Sequence, residues 1–206
     1  MNLRLARAIA CLPIFAAACL PSPAVADAVP GQAAPAFSLK DTGGKTTTLA
    51  DYKGKYVVLE WVNPNCPFVR KHYVSNNMQG LQGKYAAAGV VWLSVSSTHP
   101  SHQDFLEPAA LAARMKTWHA APAAILMDSE GQVGRLYGAR TTPHMYVVDP
   151  DGRVIYAGGI DDRRSADPDD VKGASNFVAT ALDEARAGRP VSVAAARAYG
   201  CSVKYQ

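Results

Sequence analysis

The chain has 206 residues and a formal net charge of +4 at pH 7; 49% of its residues are hydrophobic and 18% are charged. This length suits one domain with a sizeable core. The small net charge, with no Lys/Arg run and no aromatic platform, excludes a nucleic-acid-binding surface, so no nucleic-acid partner is expected.

The first 26 residues carry the pattern of a secretory signal peptide. Arg4 and Arg7 form a charged start, residues 8–20 an apolar middle, and residues 24–26 (Ala-Val-Ala) a cleavage site. The apolar stretch is too short and too interrupted by proline to span a membrane. We therefore predict a periplasmic or secreted protein with no membrane attachment after cleavage. Lipid attachment at Cys19 is an alternative.

Beyond the signal peptide (1–26), the sequence predicts a linker over 27–35, a main domain over 36–190 and a C-terminal tail over 191–206. Apolar runs bounded by turn residues predict strands at 37–40, 45–49, 56–62, 90–95, 123–127, 145–148 and 153–157. Apolar residues at helical spacing predict helices after Cys66 and at 78–88, 105–118, 132–137 and 177–185. This order predicts an α/β fold, a sheet covered by helices on both faces.

Cys66 is the most informative residue of the chain. The apolar strand before it breaks at residues 63–65 (Asn-Pro-Asn), and a basic helix follows that begins near Pro67. The sulfur therefore lies at a helix N-terminus, where unpaired N–H groups and the helix dipole favour a thiolate. Arg70 and Lys71 add positive charge within two turns and are predicted to stabilise this thiolate. The alternative is a small buried residue or one half of a structural disulfide.

Signal cleavage would leave two cysteines, Cys66 and Cys201. It would remove Cys11, Cys19, two arginines and no acidic residue, so the formal charge would fall from +4 to +2. In an oxidising compartment two cysteines allow one internal disulfide. That bond is either a structural link between the tail and the body or a redox-active pair. Intermolecular pairing of Cys201 and two free thiols are the remaining alternatives.

The order of elements, with a cysteine after the first long strand and Thr-Thr-Pro before the last hairpin, resembles the thioredoxin fold over nearly the whole mature chain. Three segments are similar to the peroxiredoxin-like (redoxin, AhpC/TSA-like) branch of that superfamily: 59–67 (LEWVNPNCP), 140–144 (RTTPH) and 199–205 (YGCSVKY). The resemblance implies a central mixed sheet flanked by helices, with an N-terminal β-hairpin as an extension. It also implies a thiol oxidoreductase. No phosphate-binding glycine-rich loop follows a strand, so no organic cofactor is expected.

The same resemblance assigns roles to the two cysteines. Cys66 matches the attacking cysteine of the Cys-x-x-Cys motif, whose second position is Val69 here. Resolution within the same helical turn is therefore excluded, and Cys201 is the expected resolving or disulfide partner. The partners would be a protein or small-molecule thiol, disulfide or peroxide, together with an external reductant.

Further residues enter through the resemblance. Pro143 matches the cis-proline that faces the active cysteine, and with Thr142 and Pro67 it is expected to contact the substrate. His144 is expected on the rim of this site or on the surface without a role. Glu60 lies near the position of a buried acid in thioredoxins and would relay a proton. The alternative is a glutamate that faces solvent.

Two other activities stay open at this stage. A peroxide-reducing antioxidant protein would use the same two cysteines, although Asn63 and Leu59 replace the hydroxyl residue and the proline of the peroxiredoxin motif. A non-enzymatic module would bind a peptide, or copper through Cys66 with His144 or His72. The chain lacks the paired cysteines of copper chaperones, so no metal is assigned.

Overall fold

The computed structural model describes residues 27–206, so the predicted signal peptide lies outside the described residues. The strands are β1 (Ser38–Asp41), β2 (Thr46–Thr48), β3 (Val57–Trp61), β4 (Val91–Ser96), β5 (Ala124–Met127), β6 (Thr141–Thr142), β7 (His144–Val148), β8 (Val154–Gly158) and β9 (Cys201–Ser202). The α-helices are α1 (Pro67–Val74), α2 (Asn77–Ala87), α3 (Pro108–Thr117), α4 (Gln132–Tyr137) and α5 (Phe177–Arg186). Within 27–206 no helix is long and apolar enough to cross a membrane.

Seven strands form one mixed sheet in the order β2-β1-β5-β4-β3-β7-β8, and β6 pairs separately with β9. The central strands β3, β4 and β5 are parallel, whereas β7, β8 and the β1–β2 hairpin run antiparallel to their neighbours. All residues of β3 and β4 are buried, which explains why both read as apolar runs rather than as alternating patterns. The predicted α/β architecture and the N-terminal hairpin are confirmed.

The two faces of the sheet carry separate cores. Val58 of β3 and Val62, directly after the strand, point to the face covered by α1, α2, α3 and α5. The residues between them, such as Leu59 and Trp61, point to the opposite face, where α4 packs. The odd and even positions of one strand thus specify both layers, as the prediction of helices on both faces required.

One helix differs from its predicted bounds, and the predicted linker contacts the rest of the domain. The third helix begins at Pro108 rather than at residue 105, since proline suits a first helical turn, and residues 97–107 form a loop over the end of the sheet. The segment predicted as a linker (27–35) runs along β8: Gly31 N donates to Val154 O and Ala34 N to Gly152 O, each at 2.8 Å.

Candidate active site

Cys66 occupies the N-cap of α1, and Pro67 takes the first helical position. A turn joins β3 to α1 at the Asn-Pro-Asn break in the sequence. Asn63 O accepts the Cys66 N–H at 3.0 Å and closes this turn. The Cys66 side chain is only 1% exposed. Its thiol donates a hydrogen bond to the Thr142 carbonyl oxygen, with 3.0 Å between Sγ and O. The sulfur therefore lies between the positive end of a helix and a backbone acceptor.

The Thr142–Pro143 peptide bond is cis, as the resemblance implied. It places the Thr142 carbonyl oxygen against the sulfur of Cys66. The Thr142 hydroxyl is buried and has no hydrogen-bond partner among residues 27–206. Pro67 is exposed beside the sulfur. Contact of these three residues with a substrate stays a prediction.

The C-terminal tail brings Cys201 to the same place. Strand β9 pairs antiparallel with β6, and this register puts Cys201 directly opposite Thr142. Gly200 allows the close approach, since its φ is +130° and a side chain there would overlap the Thr142 carbonyl. Both cysteines are free thiols. Burial, a hydrogen bond with the Cys66 side chain and the charge on Cys66 raise the pKa of Cys201 to about 12.

Tyr199 ties the tail to the helix that carries Cys66. Its hydroxyl donates to Asp161 Oδ1 at 2.5 Å and lies 3.2 Å from His72 Nε2. Its ring packs edge-on against Phe68, and the Lys71 ammonium lies 5.4 Å from the ring centre. Three residues of α1 and one from the loop after β8 thus fix the chain just before Cys201.

The two predicted thiolate-stabilising cations lie in different surroundings. Arg70 is exposed, and its guanidinium makes no hydrogen bond or ion pair with the rest of the described chain. Lys71 is fully buried: it donates to Arg163 O at 2.6 Å and to Ser165 O at 3.1 Å, and it lies 4.0 Å from Asp161. Burial lowers the pKa of Lys71, and the Asp161 carboxylate opposes this. The polar contacts of Lys71 are thus with Asp161 and the loop that follows it. Stabilisation of the Cys66 thiolate by Lys71 stays a prediction.

Glu60 is fully buried in β3, so the solvent-facing alternative is wrong. Four donors hold its carboxylate: Tyr73 Oη at 2.8 Å on Oε1, and Trp92 Nε1 at 2.9 Å, Ser94 Oγ at 3.1 Å and Gln82 Nε2 at 3.5 Å on Oε2. Burial raises the pKa of Glu60, and these hydrogen bonds oppose the rise. Cys66 makes no hydrogen bond with the Glu60 carboxylate. A proton relay from Glu60 to the sulfur therefore stays a prediction.

The histidines proposed as copper ligands are both buried. Burial lowers the pKa of His72 to about 3 and that of His144 to about 4, so both rings are neutral at neutral pH. His72 is engaged by Tyr199 and Asn77, and His144 Nδ1 accepts the Arg140 N–H at 3.3 Å. His144 is thus buried rather than on the surface, and its position on the rim of the site stays a prediction. No group of three potential metal ligands occurs within residues 27–206.

Sequence reasoning missed two parts of this site. It assigned no role to Asp161 or to Tyr199, although Tyr199 lies in the segment 199–205 that carries the family resemblance. It also missed the loop contact at the cysteine turn, where Asn63 Nδ2 and Asn65 Nδ2 donate to the Asp104 carboxylate at 3.0 and 3.4 Å. Asn63, read only as a departure from the peroxiredoxin motif, therefore fixes the turn before Cys66.

Comparison with known proteins agrees with this geometry. The sequence profile of the AhpC/TSA family matches residues 30–157, which is more than half of the chain. The thiol-disulfide oxidoreductase ResA of Bacillus subtilis is 25% identical over 125 residues, which are 61% of this chain and 64% of ResA. The chain thus spans slightly less than two thirds of that relative's length.

Two solved structures resemble the fold. An uncharacterized conserved protein from Geobacillus kaustophilus has 26% identity and a TM-score of 0.75, covering 87% of this chain and 93% of that one. The thioredoxin domain of a thiol-disulfide oxidoreductase from Bacteroides vulgatus has 21% identity and a TM-score of 0.52, covering 70% of this chain and 96% of that domain. The second match confirms the predicted thioredoxin-like fold.

Proposed function

We propose that this chain, which belongs to the AhpC/TSA family, is a thiol-disulfide oxidoreductase that cycles between two free thiols and a Cys66–Cys201 disulfide. The observation that carries the proposal is the register of β6 and β9. It places a second thiol, 135 positions along the chain, beside the cysteine at the helix N-terminus. The relatives named thiol-disulfide oxidoreductases support the same reaction class.

In the first step the Cys66 thiolate attacks one sulfur of a substrate disulfide. The substrate S–S bond breaks, the departing sulfur leaves with the electron pair and takes a proton from solvent, and a Cys66–substrate disulfide forms. In the second step Cys201 loses its proton and attacks Cys66 Sγ. The second substrate sulfur then leaves, so two electrons have passed to the substrate and the protein holds Cys66–Cys201. An external dithiol restores both thiols.

The electrostatics of the pair support this order of events. The charge on Cys66 and the hydrogen bond with its side chain help to raise the pKa of Cys201, so Cys201 keeps its proton while Cys66 is a thiolate. A mixed disulfide at Cys66 has no charge, and both contributions vanish when it forms. Burial still raises the pKa of Cys201, but the second thiol becomes easier to ionise after the first step has occurred.

The test is reduction of a disulfide-bonded protein by the purified chain with a dithiol as electron source. Intact mass after alkylation follows both cysteines. Cys66→Ser should abolish turnover, because no nucleophile remains. Cys201→Ser is the matched variant and should accumulate a mixed disulfide at Cys66. A Cys66–Cys201 bond that forms but resists native reduction would contradict the proposal and identify a structural disulfide.

Peroxide as the oxidant is a second candidate, favoured by membership of the AhpC/TSA family. Peroxide would convert the Cys66 thiolate to a sulfenic acid with release of water, and Cys201 would condense with it to the same disulfide. Leu59, which replaces the motif proline, is buried in the core, and Asn63 is bound to Asp104. Sulfenate formation at Cys66 under stoichiometric peroxide tests this candidate, and slow formation would contradict it.

We also propose that the protein acts outside the cytoplasm, on the strength of the signal pattern in residues 1–26. An exported compartment would supply oxidising partners for the two thiols. Fractionation of cells that express the full chain, with mass analysis of its N-terminus, tests this. An uncleaved chain in the cytoplasm would contradict it, and a diacylglycerol-modified Cys19 would identify the lipoprotein alternative.

A further inference from the structure

The edge of β6 faces the active cysteine, and the chain's own tail occupies it. Cys201 pairs with Thr142, and the next residue but one continues the contact, since Val203 N donates to Arg140 O at 3.0 Å. Many proteins bind a peptide as an extended segment that pairs with the edge of a strand. The backbone hydrogen bonds of this pairing can be made by any sequence. The tail thus lies on the sheet edge that an extended substrate segment would need.

The tail also denies access to the sulfur. Cys66 is 1% exposed, and Cys201 packs against the same buried cluster that contains it. A substrate disulfide cannot reach Cys66 Sγ from solvent while β9 is in place. Attack in line with the substrate S–S bond needs free approach to this sulfur, so reaction requires that residues 201–206 move.

The tail is fixed before Cys201 by Tyr199, and its far end is held by Tyr205. Tyr199 is fixed in the Asp161 cluster, and Gly200 follows it with a φ of +130° and no side chain. The far end is held by Tyr205, whose hydroxyl donates to Ala139 O at 2.7 Å and whose ring fills the space left by two glycines of the α4 region, Gly131 and Gly134. Detachment therefore breaks the β6–β9 pairing, the Tyr205 anchor with the Arg135 guanidinium over its ring, and the hydrogen bond that Lys204 O accepts from His99 N at 2.8 Å.

We infer that residues 201–206 form a displaceable strand, and that an extended, cysteine-containing segment of a protein substrate replaces it on β6 before reacting with Cys66. This inference rests on the proposed function and adds the competition between a substrate segment and the chain's own tail for the edge of β6. Cys201 takes the place of a substrate cysteine in the resting state. After the first step it must return to attack the mixed disulfide, so the tail must detach and dock reversibly.

The experiment compares the Cys201→Ser chain with and without Tyr205→Ala. The probe is a short peptide whose single cysteine carries a thionitrobenzoate group. Cys66 attacks the peptide sulfur, and the coloured thionitrobenzoate thiolate leaves, because its lower pKa makes it the better leaving group. Loss of the aromatic anchor should raise the rate constant about tenfold, since the open form becomes more populated. Tyr52→Ala, a tyrosine at the opposite end of β3 from Cys66, should leave the rate unchanged.

A second measurement reads the tail without any chemistry. Hydrogen exchange at the Val203 amide should accelerate in Tyr205→Ala, and in the parent chain when a peptide with serine in place of cysteine is bound. Equal reaction rates with and without Tyr205→Ala, an equal acceleration in Tyr52→Ala, or a Val203 amide that stays protected under bound peptide would each overturn the inference. Release of the Val203 amide without any reaction at Cys66 would instead uphold the inference and refute the proposed function.

Discussion

Two of the buried carboxylates in the described chain, those of Glu60 and Asp161, are held in opposite ways. Glu60 accepts hydrogen bonds from four neutral donors, which lie on α1, α2 and β4. Asp161 faces the ammonium of Lys71 and the ring of His72, and its Oδ2 has no hydrogen bond within the described chain. Glu60 therefore completes a layer of the core, whereas Asp161 joins elements that are far apart in sequence.

The difference shows where this fold depends on charge. The Asp161 cluster links α1, the loop after β8 and Tyr199 of the tail, so it sets the relative position of Cys66 and Cys201. Breaking a buried ion pair by removing one partner leaves the other charge uncompensated, which costs more than the pair contributed. We therefore expect perturbations of Asp161 to affect both stability and the cysteine pair, and perturbations of Glu60 to affect mainly the pH dependence of stability.

The largest expected effect comes from Asp161→Ala. It leaves Lys71 buried without its carboxylate, and we expect the free energy of unfolding to fall by about 3–5 kcal/mol in urea denaturation. Cys201 should also be alkylated faster, because Tyr199 loses its acceptor. The control is Asp169→Ala, which removes an exposed partner of Lys172 and should cost less than about 1 kcal/mol. Equal losses in the two variants would contradict the comparison.

The next effect is acid sensitivity from His72. Its pKa is about 3 in the folded chain against 6.5 in the unfolded chain, so between these values the unfolded state binds more protons. Stability should fall as the pH drops below 6.5, by up to about 3 kcal/mol near pH 4. His72→Gln should show a shallower decline in the unfolding free energy measured across this range. An unchanged slope would show that the ring does not titrate in this way.

A smaller effect distinguishes two tyrosine hydroxyls of the tail. Tyr199→Phe removes a hydrogen bond to a carboxylate and should cost about 2 kcal/mol, whereas Tyr205→Phe removes one to a neutral carbonyl and should cost about 1 kcal/mol. Thermal unfolding of both variants measures the difference. The reverse order would mean that the Asp161 cluster contributes little to holding the tail.

The smallest expected change concerns Glu60 and appears in the slope of stability against pH. Burial raises its pKa above the unfolded value, so wild-type stability should fall as the pH rises from the unfolded pKa through the folded one. Glu60→Gln has no titrating group and should lack this decline in a series of melting temperatures against pH. Glu130→Gln, at an exposed glutamate, should keep the wild-type profile. Identical profiles for all three chains would refute the role of burial.

Local patterns predicted much of this architecture. The apolar run of β3, the break at residues 63–65 and Pro67 specify a strand that ends at a helix, and the structure places Cys66 at that helix N-terminus. The two-residue strands β6 and β9 were not predicted, because two residues carry no periodicity that a sequence pattern can reveal. The buried state of Glu60 was one of two alternatives, and only the donors from β4 and α2 decided it.

The sequence by itself determined the strand–helix junction at Cys66, the order of the elements and the likeness to the thioredoxin fold, because each depends on neighbouring residues and their spacing. Only the tertiary structure decided that Cys201 lies opposite Thr142, that Lys71 contacts Asp161, and that the tail occupies the edge of β6. Those contacts join residues about 60 to 90 positions apart, and their free energy arises from burial and charge at positions that no local pattern encodes.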